Sequence, residues 1–255
     1  MAARDTIAAA IGMATRAGRP ALVGYLTAGF PSRAAFKQDL AAVASVCEVV
    51  EIGVPFSDPM ADGTTVQRAS FAALANGVTL SWILSELGAL DVKIKAPILL
   101  MSYLNPLLAY GLGRLPGDAA KAGVTGFIVP DLPFEESDEL KSALEHEGLA
   151  LVQMVTPVTP PERLARLCRE AKGFIYAVTM TGTTGKALEV PDEVLTYMKS
   201  VKQHANVPVC AGFGIRSRAQ VARFAPYVDG VVVGSALVEA LERGDDVRAF
   251  LESLR

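Results

Sequence analysis

Glu51-Ile-Gly-Val-Pro-Phe-Ser-Asp-Pro-Met-Ala-Asp-Gly63 closes an apolar run that starts near Val46 and leads into a helical stretch over Val66–Ala75. An apolar strand, a loop punctuated by Gly and Pro, and an amphipathic helix form one β-loop-α unit. The strand ends on a carboxylate, and a Glu at the end of a buried strand must be desolvated, paired or used. Pro55 and Pro59 rule out one continuous helix or strand beyond it. Glu51 and Asp62 therefore meet only if the loop folds back over the strand end, which makes a cleft. The ordinary alternatives are a surface salt bridge for Glu51 and a helix N-cap for Asp62.

The same unit recurs along the chain. Apolar runs at Ala21 to Leu26, Val46 to Ile52, Ile98 to Ser102, Gly126 to Val129, Ala150 to Met154, Phe174 to Val178, Val207 to Ala211 and Gly230 to Val233 read as eight strands. Between them, Phe36 to Ala44, Val66 to Ala75, Ser81 to Leu90, Glu135 to His146, Pro161 to Glu170, Glu193 to Lys202 and Arg218 to Phe224 carry helical spacing with charged outer faces. Strands apolar on both faces and joined by helical crossovers mean a parallel sheet, and eight such units predict a closed (β/α)8 TIM barrel. A doubly wound open sheet is the alternative. An extra N-terminal helix, Asp5 to Ala17, precedes the first strand and is expected to cap the barrel bottom.

The 255 residues, 51% hydrophobic, suffice for one large core. No linker, low-complexity tract or charge block marks a boundary, so residues 1–255 read as a single domain. A net charge of -3 without a basic stripe argues against nucleic acid. Cys47, Cys168 and Cys210 are widely spaced and suggest neither a metal motif nor a disulfide framework; they read as core thiols in a reducing compartment. Met1 to Gly12 contains Arg4 and Asp5 and reads as neither signal peptide nor membrane span, so a cytoplasmic protein is expected. His146 and His204 sit in polar contexts and read as solvated. Acid–base work then falls to carboxylates or Tyr.

In a barrel, strand C-terminal ends and the loops after them line the active site. Besides Glu51, that rule selects Tyr25 and Thr27, Tyr103 and Asn105, Asp131, and Tyr176. Aromatic residues at several strand ends suit a flat apolar ligand, although a rim Tyr can equally be plain packing with a wet hydroxyl. Gly212-Phe-Gly214 follows the seventh strand, and Gly234-Ser235 follows the eighth and opens a helix. Glycines admit a close backbone approach and a helix start adds a positive dipole end, so the two turns predict a phosphate site that needs no basic side chain. The Gly/Thr-rich segment Thr179 to Gly185 reads as a lid.

With these motifs assembled, the chain closely resembles the α subunit of tryptophan synthase along nearly its full length. The resemblance is carried by Gly24-Tyr-Leu-Thr-Ala-Gly29, Glu51 to Gly63, Pro97 to Asn105, Val129-Pro-Asp-Leu-Pro133, Gly182-Thr-Thr-Gly185, Gly212-Phe-Gly-Ile215 and Gly234-Ser235. It implies a lyase that cleaves indole-3-glycerol phosphate to indole and glyceraldehyde 3-phosphate by a retro-aldol reaction, without metal or organic cofactor. By resemblance, Glu51 is the proton shuttle, Asp62 the acceptor of the indole N–H, and Tyr176 the group that orients Glu51 or substrate. Tyr25, Met101, Ile128 and Thr184 match the substrate pocket, and Gly185, Phe213, Gly214, Gly234 and Ser235 the phosphate cradle. Asp58, Pro59, Asn105, Asp131 and Pro133 match the face toward a β subunit, which would carry pyridoxal phosphate and receive indole through a tunnel in an α2β2 complex. Apolar surroundings are expected to raise the Glu51 pKa, while a solvated Asp62 stays ionised.

Met180 stands where members often carry Arg, Thr64 where Pro often follows the Asp-Gly pair, and Phe30 where a polar residue is common. The first two changes imply altered lid closure or coupling to the partner. Competing readings are a stand-alone indole-releasing homologue, a non-catalytic ligand-binding homologue, and indole-glycerol-phosphate synthase. The last needs a strand-end Lys, whereas Lys93 and Lys95 precede the third strand in a solvated loop.

Overall fold

The computed structural model describes residues 2–179, 191–212 and 214–255. Among them run nine strands: β1 (Ala21–Thr27), β2 (Val49–Gly53), β3 (Ile98–Met101), β4 (Val124–Ile128), β5 (Ala150–Leu151), β6 (Gln153–Val155), β7 (Ile175–Val178), β8 (Val209–Gly212) and β9 (Gly230–Val233). All pairings are parallel, in the order β5-β4-β3-β2-β1-β9-β8-β7-β6. β5 pairs with β4, β6 pairs with β7, and only Val152 separates the two. The expected fifth strand thus hydrogen-bonds its left neighbour with its first half and its right neighbour with its second. The sheet closes on itself as a barrel, and the open doubly wound alternative is set aside.

Strand alternation divides the core in two. Outward-facing residues such as Leu22, Leu26, Val50, Ile52, Leu100 and Phe127 pack under the surrounding helices. Inward-facing Ala21, Val23, Val49, Leu99, Ile128, Val152, Phe174 and Cys210 fill the barrel itself. Helix α1 (Ala3–Arg16) closes the bottom, with Ile7 and Ile11 fully buried in that inner cluster and the Arg4 N–H donating to the Gly148 carbonyl at 3.0 Å. The periodicity of the N-terminal segment predicts this cap, and the structure has it.

Helices α2 (Phe36–Val46), α3 (Thr64–Ala75), α4 (Leu80–Gly88), α7 (Asp138–His146), α8 (Pro161–Glu170), α9 (Asp192–His204), α10 (Arg218–Phe224) and α11 (Ser235–Arg243) fall where helical spacing predicts them. Three others were not legible. α5 (Leu104–Tyr110) and α6 (Leu115–Lys121) lie between β3 and β4, where Pro106, Gly111, Gly113 and Pro116 interrupt any apolar period. α12 (Val247–Ser253) ends the chain against α2. Several expected boundaries move: the helix expected from Glu135 begins only at Asp138, after a 3-10 turn over Phe134–Glu136, the strand expected from Val207 begins at Val209, and α2 extends to Val46 while β2 begins only at Val49. Glu48 anchors the turn between them, accepting from the Leu22 N–H at 2.8 Å and pairing with Arg19 at 2.7 Å and Arg255 at 2.8 Å.

Candidate active site at the C-terminal mouth of the barrel

Register assembles the site. Tyr25, Glu51 and Leu99 are neighbours across β1, β2 and β3, and Tyr176 on β7 pairs with Met154 and Cys210. Two glycines make room for the tyrosine rings. A Cβ at Gly53 would lie 2.2 Å from the Tyr25 hydroxyl, and one at Gly212 would lie 2.2 Å from the Tyr176 ring. Tyr25 and Tyr176 can therefore lean across the adjacent strands toward the barrel axis.

The loop after β2 folds back as the prolines require. The Ser70 hydroxyl of α3 donates to the Phe56 carbonyl at 3.0 Å and accepts from its N–H at 2.8 Å. The Phe56 ring lies 5.3 Å from that of Tyr103, whose hydroxyl accepts from the Ala61 N–H at 2.8 Å and bonds the Asp62 side chain. The Asp62 N–H donates to the Pro59 carbonyl, and the Gln67 side-chain amide donates to the Asp62 carbonyl at 2.9 Å. Asp62 is consequently 8% exposed and Glu51 1%. Neither ordinary alternative holds: Glu51 makes no salt bridge among the described residues, and the N-cap of α3 is Gly63.

Glu51, Asp62, Tyr25, Met101, Tyr176, Gly214, Gly234 and Ser235 line a single cavity of about 50 Å³. A larger cavity of about 730 Å³ lies beside it under Val129–Phe134, but Glu51 does not reach it. The smaller one concentrates the ionisable groups. The Glu51 Oε2 atom is buried with no hydrogen-bond partner among the described residues. Burial, reinforced by the Asp62 charge, pushes the Glu51 carboxyl up to about 8. Burial likewise pushes Asp62 up to about 6, with the Tyr103 hydroxyl pulling it partly back. The expected solvated Asp62 is thus corrected: a loop tied at Ser70, Tyr103 and Gln67 excludes water from it. Division of labour survives, because Asp62 loses its proton well below Glu51. Burial chiefly raises both tyrosines too, leaving them neutral hydrogen-bonding groups.

At the opposite side of the cavity, Gly214 adopts φ +87° and Gly234 precedes α11, and a Cβ at either would meet nothing within 4 Å. Gly214 is therefore required by backbone conformation, and the empty space over both glycines is where an anion could approach main-chain N–H groups. Ser235 opens α11 beside them. Ile128 is the exception among the pocket residues: fully buried beside Met101, it belongs to the inner core and not to the cavity wall. Met180, Thr184, Gly185 and Phe213 lie outside the described residues.

Of the rim residues, Asp58, Asn105, Asp131 and Pro133 are exposed. Asp131 accepts from the Leu104 N–H at 2.9 Å. Pro59 is buried, its carbonyl turned to Asp62 and Gln67, so it shapes the loop and presents no surface. Met60, 87% exposed, and Leu108, 49% exposed, sit among the rim residues and had no signal in sequence beyond being apolar in a loop and a broken helix. Tyr103 was visible as a strand-end residue, but its bond to Asp62 was not.

Among the described residues no helix is long and apolar enough to cross a membrane, and no cluster of potential metal ligands occurs. His146 and His204 are exposed, and the three cysteines are buried and free.

Comparison with known proteins bears on the same features. The family model described as tryptophan synthase alpha chain matches residues 12–254. The tryptophan synthase alpha chain of Solidesulfovibrio magneticus is 46% identical over 243 residues, covering 95% of each chain. That of Desulfovibrio desulfuricans is 45% identical over 241 residues, covering 93% of this chain and 94% of its own. Among solved structures, aminoacrylate-bound tryptophan synthase from M. tuberculosis superposes with a TM-score of 0.87 at 35% identity, covering 98% of this chain and 97% of that one. The tryptophan synthase complex from Pyrococcus furiosus gives 0.84 at 32% identity, covering 92% and 97%. The chain belongs to the tryptophan synthase alpha chain family, whose reaction is cleavage of indole-3-glycerol phosphate to indole and glyceraldehyde 3-phosphate.

Proposed function

We propose that Glu51 is the proton shuttle of this cleavage and that Asp62 is its electrostatic partner. The carrying observation is the unpartnered, buried Glu51 Oε2 in a cavity that also holds Asp62 and the two open glycines. Protonated Glu51 delivers its proton to indole C3, giving the indolenine tautomer with positive charge on the ring nitrogen. Asp62, ionised at neutral pH, accepts the hydrogen bond from that N–H and offsets the charge. The Glu51 carboxylate then removes the proton of the hydroxyl on the attached side-chain carbon. As the C–C bond breaks, the oxygen becomes the aldehyde carbonyl and the electron pair returns to the ring. The net transfer is one proton from the hydroxyl to C3, which ends with Glu51 protonated again.

Tyr176 orients Glu51, and Tyr25 and Met101 hold the flat ring; Ile128 supports Met101 from below. Thr184 and Gly185 are assigned to the substrate and phosphate sides by resemblance alone. The phosphate lies against main-chain N–H groups at Gly214, Gly234 and Ser235, where the α11 terminus adds its dipole, and Phe213 is joined to them by resemblance alone. This chemistry needs proton transfer only, so no cofactor is assigned to this chain.

A β-subunit partner is supported by the solved tryptophan synthase complex among the relatives. We assign the α2β2 assembly, with pyridoxal phosphate in the β subunit, to this chain. Exposed Asp58, Asn105, Asp131 and Pro133 with Met60 and Leu108 form the docking rim, and Pro59 acts from beneath. The free, buried thiols fit a reducing, cytoplasmic location. Indole release from indole-3-glycerol phosphate, followed with and without added β subunit, tests the whole. Slow release alone and faster release with partner is expected. No indole under either condition would overturn the residue roles, and full speed alone would overturn partner dependence.

A further inference from the structure

One side-chain cluster beside the cavity is not accounted for by the chemistry. Arg216, two residues beyond Gly214, donates through both terminal nitrogens to Glu239, at 2.8 and 2.7 Å. Glu239 lies on α11 one helical turn after Ser235, so it stands beneath the helix end that faces the anion site. Its Oε1 atom also accepts from the Thr65 hydroxyl at 3.1 Å. Thr65 is in the first turn of α3, three residues after Asp62, and Gln67 in the same turn holds the Asp62 carbonyl. Three segments far apart in sequence thus converge on one carboxylate: the loop after β8, the start of α11 and the start of α3. The Arg216 guanidinium keeps Glu239 below the usual carboxylate range, so it stays ionised and bidentately paired at working pH.

We propose that Glu239 is a positioning residue that ties the phosphate cradle to the loop carrying Asp62, so that engagement of the substrate phosphate sets the Asp62 carboxylate against the indole nitrogen. The inference rests on the assignment of Gly214, Gly234 and Ser235 to phosphate and of Asp62 to the indole N–H. The path is short and contiguous: phosphate loop, Arg216, Glu239, Thr65, first turn of α3, Gln67, Asp62. A shift of about 1 Å at a reacting group can cost on the order of 100-fold in rate. A carboxylate this near a dianion would also repel it, and the bidentate Arg216 cancels that charge.

The same interface supplies its own control. Arg68 pairs with Glu242 through two hydrogen bonds, also joining α3 to α11; among the described residues no hydrogen bond links it to the phosphate loop, Thr65 or Glu239, whose charge reaches it only through space. The experiment compares Glu239→Gln, Thr65→Val and Glu242→Gln in steady-state indole release, each alone and with Asp62→Asn. Thr65→Val leaves the Arg216–Glu239 pair intact, so it carries the test even if Glu239→Gln folds poorly. Glu239→Gln and Thr65→Val should each lower kcat about tenfold, with Thr65→Val leaving inhibition by glycerol 3-phosphate within about twofold. In the Asp62→Asn background neither should lower kcat further. Glu242→Gln should leave kcat and KM unchanged. A Thr65→Val enzyme with normal kcat, or a loss fully additive with Asp62→Asn, would overturn the tie. Unchanged kcat in Asp62→Asn itself would instead overturn the assignment of Asp62.

Discussion

Glu51→Gln should inactivate the enzyme and stabilise it in the same stroke. The Glu51 carboxyl is 1% exposed, and burial with the Asp62 charge moves it from 4.5 to about 8. In the unfolded chain it ionises at the usual value. Between those two values the folded state binds more protons than the unfolded one, so stability falls as pH rises through that window and levels off above it. At roughly 1.36 kcal/mol per pH unit, the loss between pH 5 and pH 9 comes to about 4 kcal/mol. Glutamine has nearly the shape of the protonated acid and cannot ionise, so the variant keeps what the native protein loses. Titrating groups that do not interact with Glu51 contribute to both proteins and cancel in the difference, whereas Asp62, whose charge helps raise Glu51, titrates as part of the pair and enters it. For a chain of this size, about 4 kcal/mol corresponds to roughly 8–15 °C in Tm. Thermal unfolding of both proteins at constant ionic strength from pH 5 to pH 9 is the assay. The two Tm values should lie close at pH 5 and diverge steadily, with the variant higher at pH 9. Parallel curves would mean that Glu51 is not held protonated by its site, and the proton-shuttle argument would lose its physical basis. Indole release by the variant should fall by about 100-fold or more, the range spanned by general acid–base groups.

The pH dependence of kcat/KM should be bell-shaped, with limbs near about 6, where Asp62 ionises, and about 8, where Glu51 loses its proton. Both values belong to the interacting pair. Tyr103→Phe removes the hydroxyl that favours ionised Asp62, so its acid limb should move to higher pH while the alkaline limb holds; an unmoved acid limb in rate profiles would contradict the assigned bond. Gly212→Ala would put a Cβ 2.2 Å from the Tyr176 ring. Displacing the ring should cost about 1–3 kcal/mol in urea unfolding and lower kcat, whereas native-like stability and rate would show that the ring has room to move.

The resemblance among motifs was legible because each motif is local. Pro55 and Pro59 force a loop, and a GxG turn after an apolar run opens a strand end, whatever surrounds them. Features set by distant parts of the chain left no such local mark. α5 and α6 were hidden because Pro106, Gly111, Gly113 and Pro116 erase the helical period while packing still imposes helix. The fifth strand read as one run, but its two halves pair with different neighbours, a fact of barrel closure and not of sequence.

Local patterning alone carried the alternation of strand and helix, the cap by α1, and the presence of Glu51, Gly214 and Gly234 at or just beyond strand ends; closure of the sheet into a barrel took the pairing of both ends of the fifth strand. Periodicity of apolar residues and the conformational demands of Gly and Pro are properties of a few adjacent residues. The folded arrangement is what buries Asp62, turns Pro59 inward, places Ile128 in the core, and brings Thr65 to Glu239 across 174 positions. Desolvation and charge pairing sum over whatever surrounds a group in space, and in a closed barrel those surroundings come from every part of the chain.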